Sequence, residues 1–166
     1  MSIAVSLASL LAYSDFERKK WRDWLEADPA RLKIPFQPGD RFPDLGALLD
    51  HLFLVERRHL SRLEGATPPA ETGIPAGDVK ALFEYADLVR ADFRAYVDAL
   101  DEETAMTPIV ITGLQSSGDI TMSRRRLATH ILLHEVRHLA QIAYAARLAG
   151  HVPPGQHDIF YFGEFV

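Results

Sequence analysis

Apolar residues recur at three- and four-residue intervals along four stretches of the chain, each bounded by proline, glycine or small polar residues, and this is the periodicity of amphipathic helices. The first stretch runs from about Ser2 to Ala27. Ile3, Leu7, Leu10 and Leu11 share one stripe, Trp21, Trp24 and Leu25 continue it, and Asp28-Pro29 ends it, because a residue before proline is steered out of helical geometry. The second spans about Asp44 to Glu64, with Leu45, Leu48, Leu49, Leu52, Leu60 and Leu63 on its core face and Gly65 just beyond, where a left-handed cap costs glycine least. The third, about Asp78 to Leu100, is the most regular: Val79, Leu82, Phe83, Ala86, Val89, Phe93, Val97 and Leu100 keep the spacing throughout, while Lys80, Glu84, Asp87, Arg90 and Asp92 fall largely outside the stripe. The fourth runs from about Ser123, a fitting N-cap, to Ala149, with Gly150 beyond it.

Between the third and fourth stretches, PIVITGLQSSGDITM sets β-branched residues around a glycine-containing turn, a pattern for a short hairpin or an extended crossover rather than a real sheet. The tail after Gly150 is broken by prolines and then carries Phe160, Tyr161, Phe162 and Phe165. These are too apolar to stand in water, so the tail is expected to pack back on the helices or on a second subunit. The expected fold is all-α: a four-helix bundle with long crossover loops, forming a single domain over residues 1–166.

Composition narrows the chemistry. With 48% hydrophobic and 25% charged residues and a net charge of −5, the chain has the profile of a soluble globular protein and lacks the positive footprint that nucleic acid or an anionic membrane wants. The absence of cysteine excludes disulfides, zinc–thiolate sites and a cysteine nucleophile, so nitrogen and oxygen must supply any metal or catalytic chemistry. A cytoplasmic location is the default expectation. MSIAVSLASLLA has the look of a signal-peptide core, but no positive region precedes it and the helical pattern continues into SDFERKKWRDW. No apolar run approaches the roughly 18 to 20 residues of a membrane span.

The fourth stretch places His130, His134 and His138 four residues apart, so each is turned only about 40° from the last and all three share a face. Leu127, Ile131, Ile142, Ala145 and Leu148 lie on that same face, and Gln141 extends the polar line by a turn. Imidazoles on a core-facing stripe must find hydrogen bonds or a metal. Two histidines at i and i+4 can both reach one ion, the logic of helix-borne zinc motifs, and a third ligand must come from elsewhere. The second helix offers His51 at the edge of its leucine stripe and His59 near its centre. Spacing leaves that choice open.

The segments DLGALLDHLFLVERRHLSRLEG and LATHILLHEVRHLAQIAYAARLAGHVPP resemble the DinB family of metal-dependent helical proteins. In that family's pattern a histidine early in the second helix joins a His-x-x-x-His pair followed shortly by Gln-Ile. The resemblance implies that His51, His134 and His138 are the metal ligands, with Gln141-Ile142 the residues that follow the pair, and that His59 stands where the family often carries a bulky residue. AYSDFERKKW and the Pro-Pro plus aromatic tail extend the likeness weakly. Leu139-Ala140, where many members carry Arg-Gly, and the extra His130 and His59 depart from it.

What the resemblance implies is a three-histidine site for one divalent transition metal, zinc or nickel, in an often dimeric protein. Members with assigned roles include transferases and isomerases that use low-molecular-weight thiols. The leading expectation is therefore a metal-dependent enzyme that activates a water or thiol for transfer, isomerisation or hydrolysis, with a small-molecule substrate; the alternative is a non-catalytic, metal-binding or stress-associated helical dimer. A metal-free helical interaction module is the third reading. His130, Gln141, Arg58 and Arg137 are candidates to orient ligands or meet substrate. Glu56 and Glu135 are near in sequence, yet neither stands out as a general base. Leu132, Val136, Leu139 and Ala143 form a second apolar stripe opposite the histidines, read as a homodimer surface. Arg124, Arg125 and Arg126 put positive charge at a helix start, against the macrodipole, which reads as a solvated turn unless an anionic partner meets it.

Overall fold

Each long helix begins where a small polar side chain can accept from an otherwise orphaned backbone N–H. In the computed structural model, which describes residues 5–36, 39–114, 118–155 and 157–163, Ser6 caps α1 (Leu7–Ala27), Asp44 caps α2 (Leu45–Leu63) and Asp78 caps α3 (Val79–Asp98). Asp101 caps a short α4 (Glu102–Met106), and Ser123 caps α5 (Arg124–Leu148). The expected start at Ser2, with Ile3, lies outside the described residues, as does Phe165; within them α1 begins only at Leu7.

Glycine ends two of the helices. After α2, Gly65 takes φ 73° and Ala66 N–H donates to the Ser61 carbonyl at 2.8 Å. After α5, Gly150 takes φ 81° and His151 N–H donates to Ala146 at 2.9 Å. Both are the paired left-handed closure that satisfies the last carbonyls of a helix.

The fold is predominantly helical, with one small sheet among the described residues. The expected hairpin forms: β1 (Pro108–Leu114) pairs antiparallel with β2 (Gly118–Ser123), with Pro108 opposite Ser123 and Ile111 opposite Ile120. Residues 115–117, where the sequence pattern sets the turn, lie outside the described set. Among the long helices α2 packs on α5 and α3, and α1 packs on α3 and α5, so contacts run round a closed ring of four.

Two apolar clusters fill the ring. One holds Trp21, Leu25, Leu49, Phe53, Phe83 and Ile142; the other holds Leu11, Leu60, Phe93, Leu127 and Ile131. At the level between them each long helix sends one buried charge into a shared layer: Arg18 from α1, Glu56 from α2, Arg90 from α3 and Glu135 from α5; Glu17, also buried on α1, pairs instead with Lys20 and His157. Arg18 reaches Glu135 through Nε at 2.7 Å and Glu56 through a terminal nitrogen at 2.6 Å. Arg90 pairs with Glu135, and its Nε lies 3.1 Å from Glu56 Oε1 without the angle of a hydrogen bond. Ser14 also donates to Glu135. Buried ions are tolerable only when matched in this way. Arg90 is thus not outside the core stripe, as its neighbours in the sequence suggest; Ala86, Arg90 and Phe93 share one face, and Arg90 is 6% exposed.

The stripe read as a dimer surface is used inside the chain. Leu132, Leu139 and Ala143 are all buried, because α5 packs on both α1 and α2 and needs two apolar faces of its own. The tail divides. Phe162 rests on Tyr13 and Phe16, with ring centroids 5.7 and 5.4 Å away, whereas Phe160 is 84% exposed, against the expectation that it packs back. His157 anchors the segment before it, stacked on Trp21 at 5.0 Å with Nδ1 2.7 Å from Glu17 Oε2.

No described helix is long and apolar enough to cross a membrane.

Candidate metal centre

His51 lies in the second turn of α2, which Asp44 fixes by accepting from Ala47 N–H at 2.9 Å. His134 and His138 lie mid-way along α5 on the side that faces α2. One ring nitrogen from each of the three falls within 4.8 Å of the other two. Ring centroids are 5.6 Å apart for His51 and His134, 5.5 Å for His51 and His138, and 4.3 Å for His134 and His138. Of the two candidates on α2, His51 joins the pair; His59 stands two turns further on.

Hydrogen bonding sets one tautomer. His138 Nδ1 is 2.5 Å from the Gln141 side-chain oxygen, which only accepts, so Nδ1 carries the proton and Nε2 keeps its lone pair. That Nε2 is 3.0 Å from His134 Nε2. Two nitrogens bound to one ion at about 2.0–2.1 Å, at angles between a right angle and the tetrahedral value, stand about 2.9–3.4 Å apart. The donor set and its spacing fit a divalent transition ion.

The rings are also kept neutral. Burial first, then the neighbouring His138, His130 and His51 rings, pushes His134 down to about 3. His51 is pushed down to about 4 by burial, then by Arg41, His138 and Arg58, with Asp50 opposing. His138 is lowered by burial against the opposing hydrogen bond to Gln141. At neutral pH all three therefore offer lone pairs rather than protons.

The crossover from α1 to α2 closes over the site. A bridge between Pro35 and Asp44 and a bond from Phe36 N–H to the Pro43 carbonyl at 3.2 Å pinch the loop, and they bring the Phe42 ring to 4.8 Å from His51 and 6.3 Å from His138. Beside His138 opens a cavity of about 640 Å³, lined in part by Phe42, Arg41, Arg137, Gln141 and Tyr144.

The other candidates separate. Gln141 orients His138. His130 stands 5.4 Å from His134 and 5.3 Å from His59, ring to ring, so five imidazoles line the α2–α5 seam. His59 is buried and pushed down to about 3 by burial first and then by His130 and Arg62; its Nδ1 lies 3.3 Å from Arg62. Arg58 spends its guanidinium on the α2–α3 crossover, donating to the Pro69 carbonyl at 2.8 Å and to that of Ala70. Arg137 lines the cavity. Glu135 is held below the usual carboxylate range: burial would raise it, but Arg18 and Arg90 prevail. With Glu56 it faces the two arginines, and neither can serve as a base for the histidine cluster. Arg124 donates to the Leu63 carbonyl and, at 3.1 Å, to the Thr107 hydroxyl; the charge that opposes the start of α5 thereby favours the end of α2. Arg125 reaches Glu102 at 3.4 Å.

Sequence reasoning misses Arg41 and Phe42, which no periodicity marks because they sit in a crossover, and it misses the charged layer. The layer had a signal: Arg18, Glu56, Arg90 and Glu135 each fall on the core stripe of a helix, two of each sign.

A model described as the DinB family matches residues 1–162. Among solved structures, the crystal structure of a conserved protein from Enterococcus faecalis superposes with a TM-score of 0.62 at 17% identity, covering 87% of this chain and 98% of that one, which is a likeness of fold. No curated protein matches.

Proposed function

Because the chain belongs to the DinB family, we propose that it is a metal-dependent enzyme whose ion, zinc or nickel, is held by His51, His134 and His138 within a four-helix bundle forming one domain. The observation that carries this reading is the convergence of three neutral imidazoles from two helices within 4.8 Å. A divalent ion with three nitrogen ligands and an open position supplies Lewis acidity, which lowers the pKa of a water or a low-molecular-weight thiol and suits transfer, isomerisation or hydrolysis. The chain's own residues do the rest. Gln141 holds the His138 tautomer, Phe42 shields the ligand rings from water on one side, and the cavity beside His138 admits a substrate of small-molecule size. That open side favours catalysis over an ion that only closes the core.

The test is elemental analysis of purified, never-chelated protein together with a screen of low-molecular-weight thiols against electrophilic acceptors. One transition ion per chain is expected, lost in the His51→Ala/His134→Ala/His138→Ala variant along with any turnover while the fold persists. Protein that neither carries nor takes up such an ion sinks the proposal. If removing the ion unfolds the chain and no acceptor reacts, the structural reading takes its place. Assembly as a homodimer is retained in this proposal, with the contact moved to side chains that are exposed, such as Leu133 and Phe160. Sedimentation of the Leu133→Glu variant checks it, the expected result being a monomer.

A further inference from the structure

The corner of the molecule that holds the histidines is electropositive in a chain of net charge −5. Arg41 and Arg137 both line the cavity beside His138. Neither arginine joins an ion pair among the described residues. Arg41 instead rests on the Phe42 ring, 5.1 Å from its centroid. Three nearby carboxylates are committed elsewhere. Glu56 and Glu135 face Arg18 and Arg90, and Asp50 accepts from Thr72. Asp40 is the one carboxylate among the described residues lining the cavity. A divalent ion on three neutral imidazoles would add two further positive charges with no protein anion bound to it.

The same cavity exposes apolar surface. Tyr144 is 59% and Leu148 58% exposed, and with the half-buried Phe36 and Phe42 they line one cavity. Its volume of about 640 Å³ is that of a small-molecule site.

Resting on the metal reading above, we propose that the cavity selects an amphipathic small anion: a carboxylate held at Arg41 and Arg137, an apolar body against Tyr144, Leu148 and the two phenylalanines, and the remaining end directed to the three histidines. The arginines act as specificity-determining residues. They bring a negative charge to a cavity where arginines outnumber carboxylates, and they fix which end of the molecule reaches the imidazoles, since a guanidinium recognises a carboxylate by both charge and shape.

The probe pair is 3-phenylpropionate and its uncharged isostere 3-phenylpropionamide, titrated into zinc-reconstituted protein by calorimetry, with the Tyr144 ring signals followed by NMR. The carboxylate is expected to bind at least ten-fold tighter than the amide and to shift Tyr144. The Arg41→Met/Arg137→Met variant should bring its affinity down to that of the amide while elemental analysis shows the zinc content unchanged. Equal affinities in the unmodified protein, no binding of either probe at millimolar concentration, or carboxylate binding that survives in the double variant would each overturn the proposal. The last result places the acid on the ion instead. If the protein takes up no zinc, the metal reading fails by itself, and the same two probes on the ion-free chain still decide the role of the arginines.

Discussion

At the scale of the residue, the site depends on which imidazole nitrogen carries a proton. Gln141 accepts from His138 Nδ1 and so leaves Nε2 free to ligate, a role that outer partners of metal-binding histidines commonly play. Gln141→Leu removes the acceptor without emptying a core position. Zinc affinity measured by chelator competition is expected to fall about 10- to 100-fold, with the denaturant midpoint of the ion-free chain nearly unchanged. A midpoint loss as large as the affinity loss would show that Gln141 supports the fold rather than the ligand. The histidines themselves were legible, because an i, i+4 pair on an apolar face is a rare pattern with a chemical reason. Their third partner was legible only through the family resemblance, which implies His51. Helical spacing leaves His51 and His59 open, because the way α2 lies on α5, a tertiary fact, is what brings His51 to the pair and leaves His59 beside His130.

At the scale of the element, four long helices could be read from periodicity and capping residues, with ends within a residue or two for α2, α3 and α5. What periodicity does not state is which apolar face meets which neighbour. The Leu132 and Leu139 stripe looked spare only because a bundle helix is expected to bury a single face. Closure of α5 offers a clean local test: a Cβ at Gly150 meets nothing within 4 Å, yet its φ is 81°. Gly150→Ala should therefore cost about 1–2 kcal/mol through backbone conformation alone, read from urea unfolding. Glu135→Ala is a test of another kind. It leaves Arg18 and Arg90 buried with Glu56 to share and, for Arg90, Asp15 at 3.4 Å, an expected loss of about 3–5 kcal/mol. Zinc binding should survive in whatever fraction stays folded, since the carboxylate faces away from the histidines; a variant as stable as the parent would mean that water neutralises the layer.

At the scale of the whole molecule, the buried imidazoles tie stability to pH. His59 and His134 are pushed down to about 3 and His51 to about 4 from an ordinary 6.5. Above pH 6.5 neither the folded nor the unfolded chain holds these protons, and the contribution is complete. As the pH falls below 6.5 the unfolded chain takes them up while the folded chain does not, so stability drains away until about pH 3. Thermal melts of ion-free protein should show Tm falling steadily over that interval, and less steeply in His59→Phe, which replaces one buried titrating ring with an apolar one. The charged layer sets a different condition, one on the order of events in folding. Its two cations and two anions come one from each long helix, so any three helices that dock without the fourth bury an ion short of its full set of partners. Partly assembled forms are penalised by the same charges that the finished protein balances, and the chain should fold and unfold as one cooperative unit. Exchanging a single helix with that of a relative would then succeed only where the incoming segment carries a charge of the same sign at the same level.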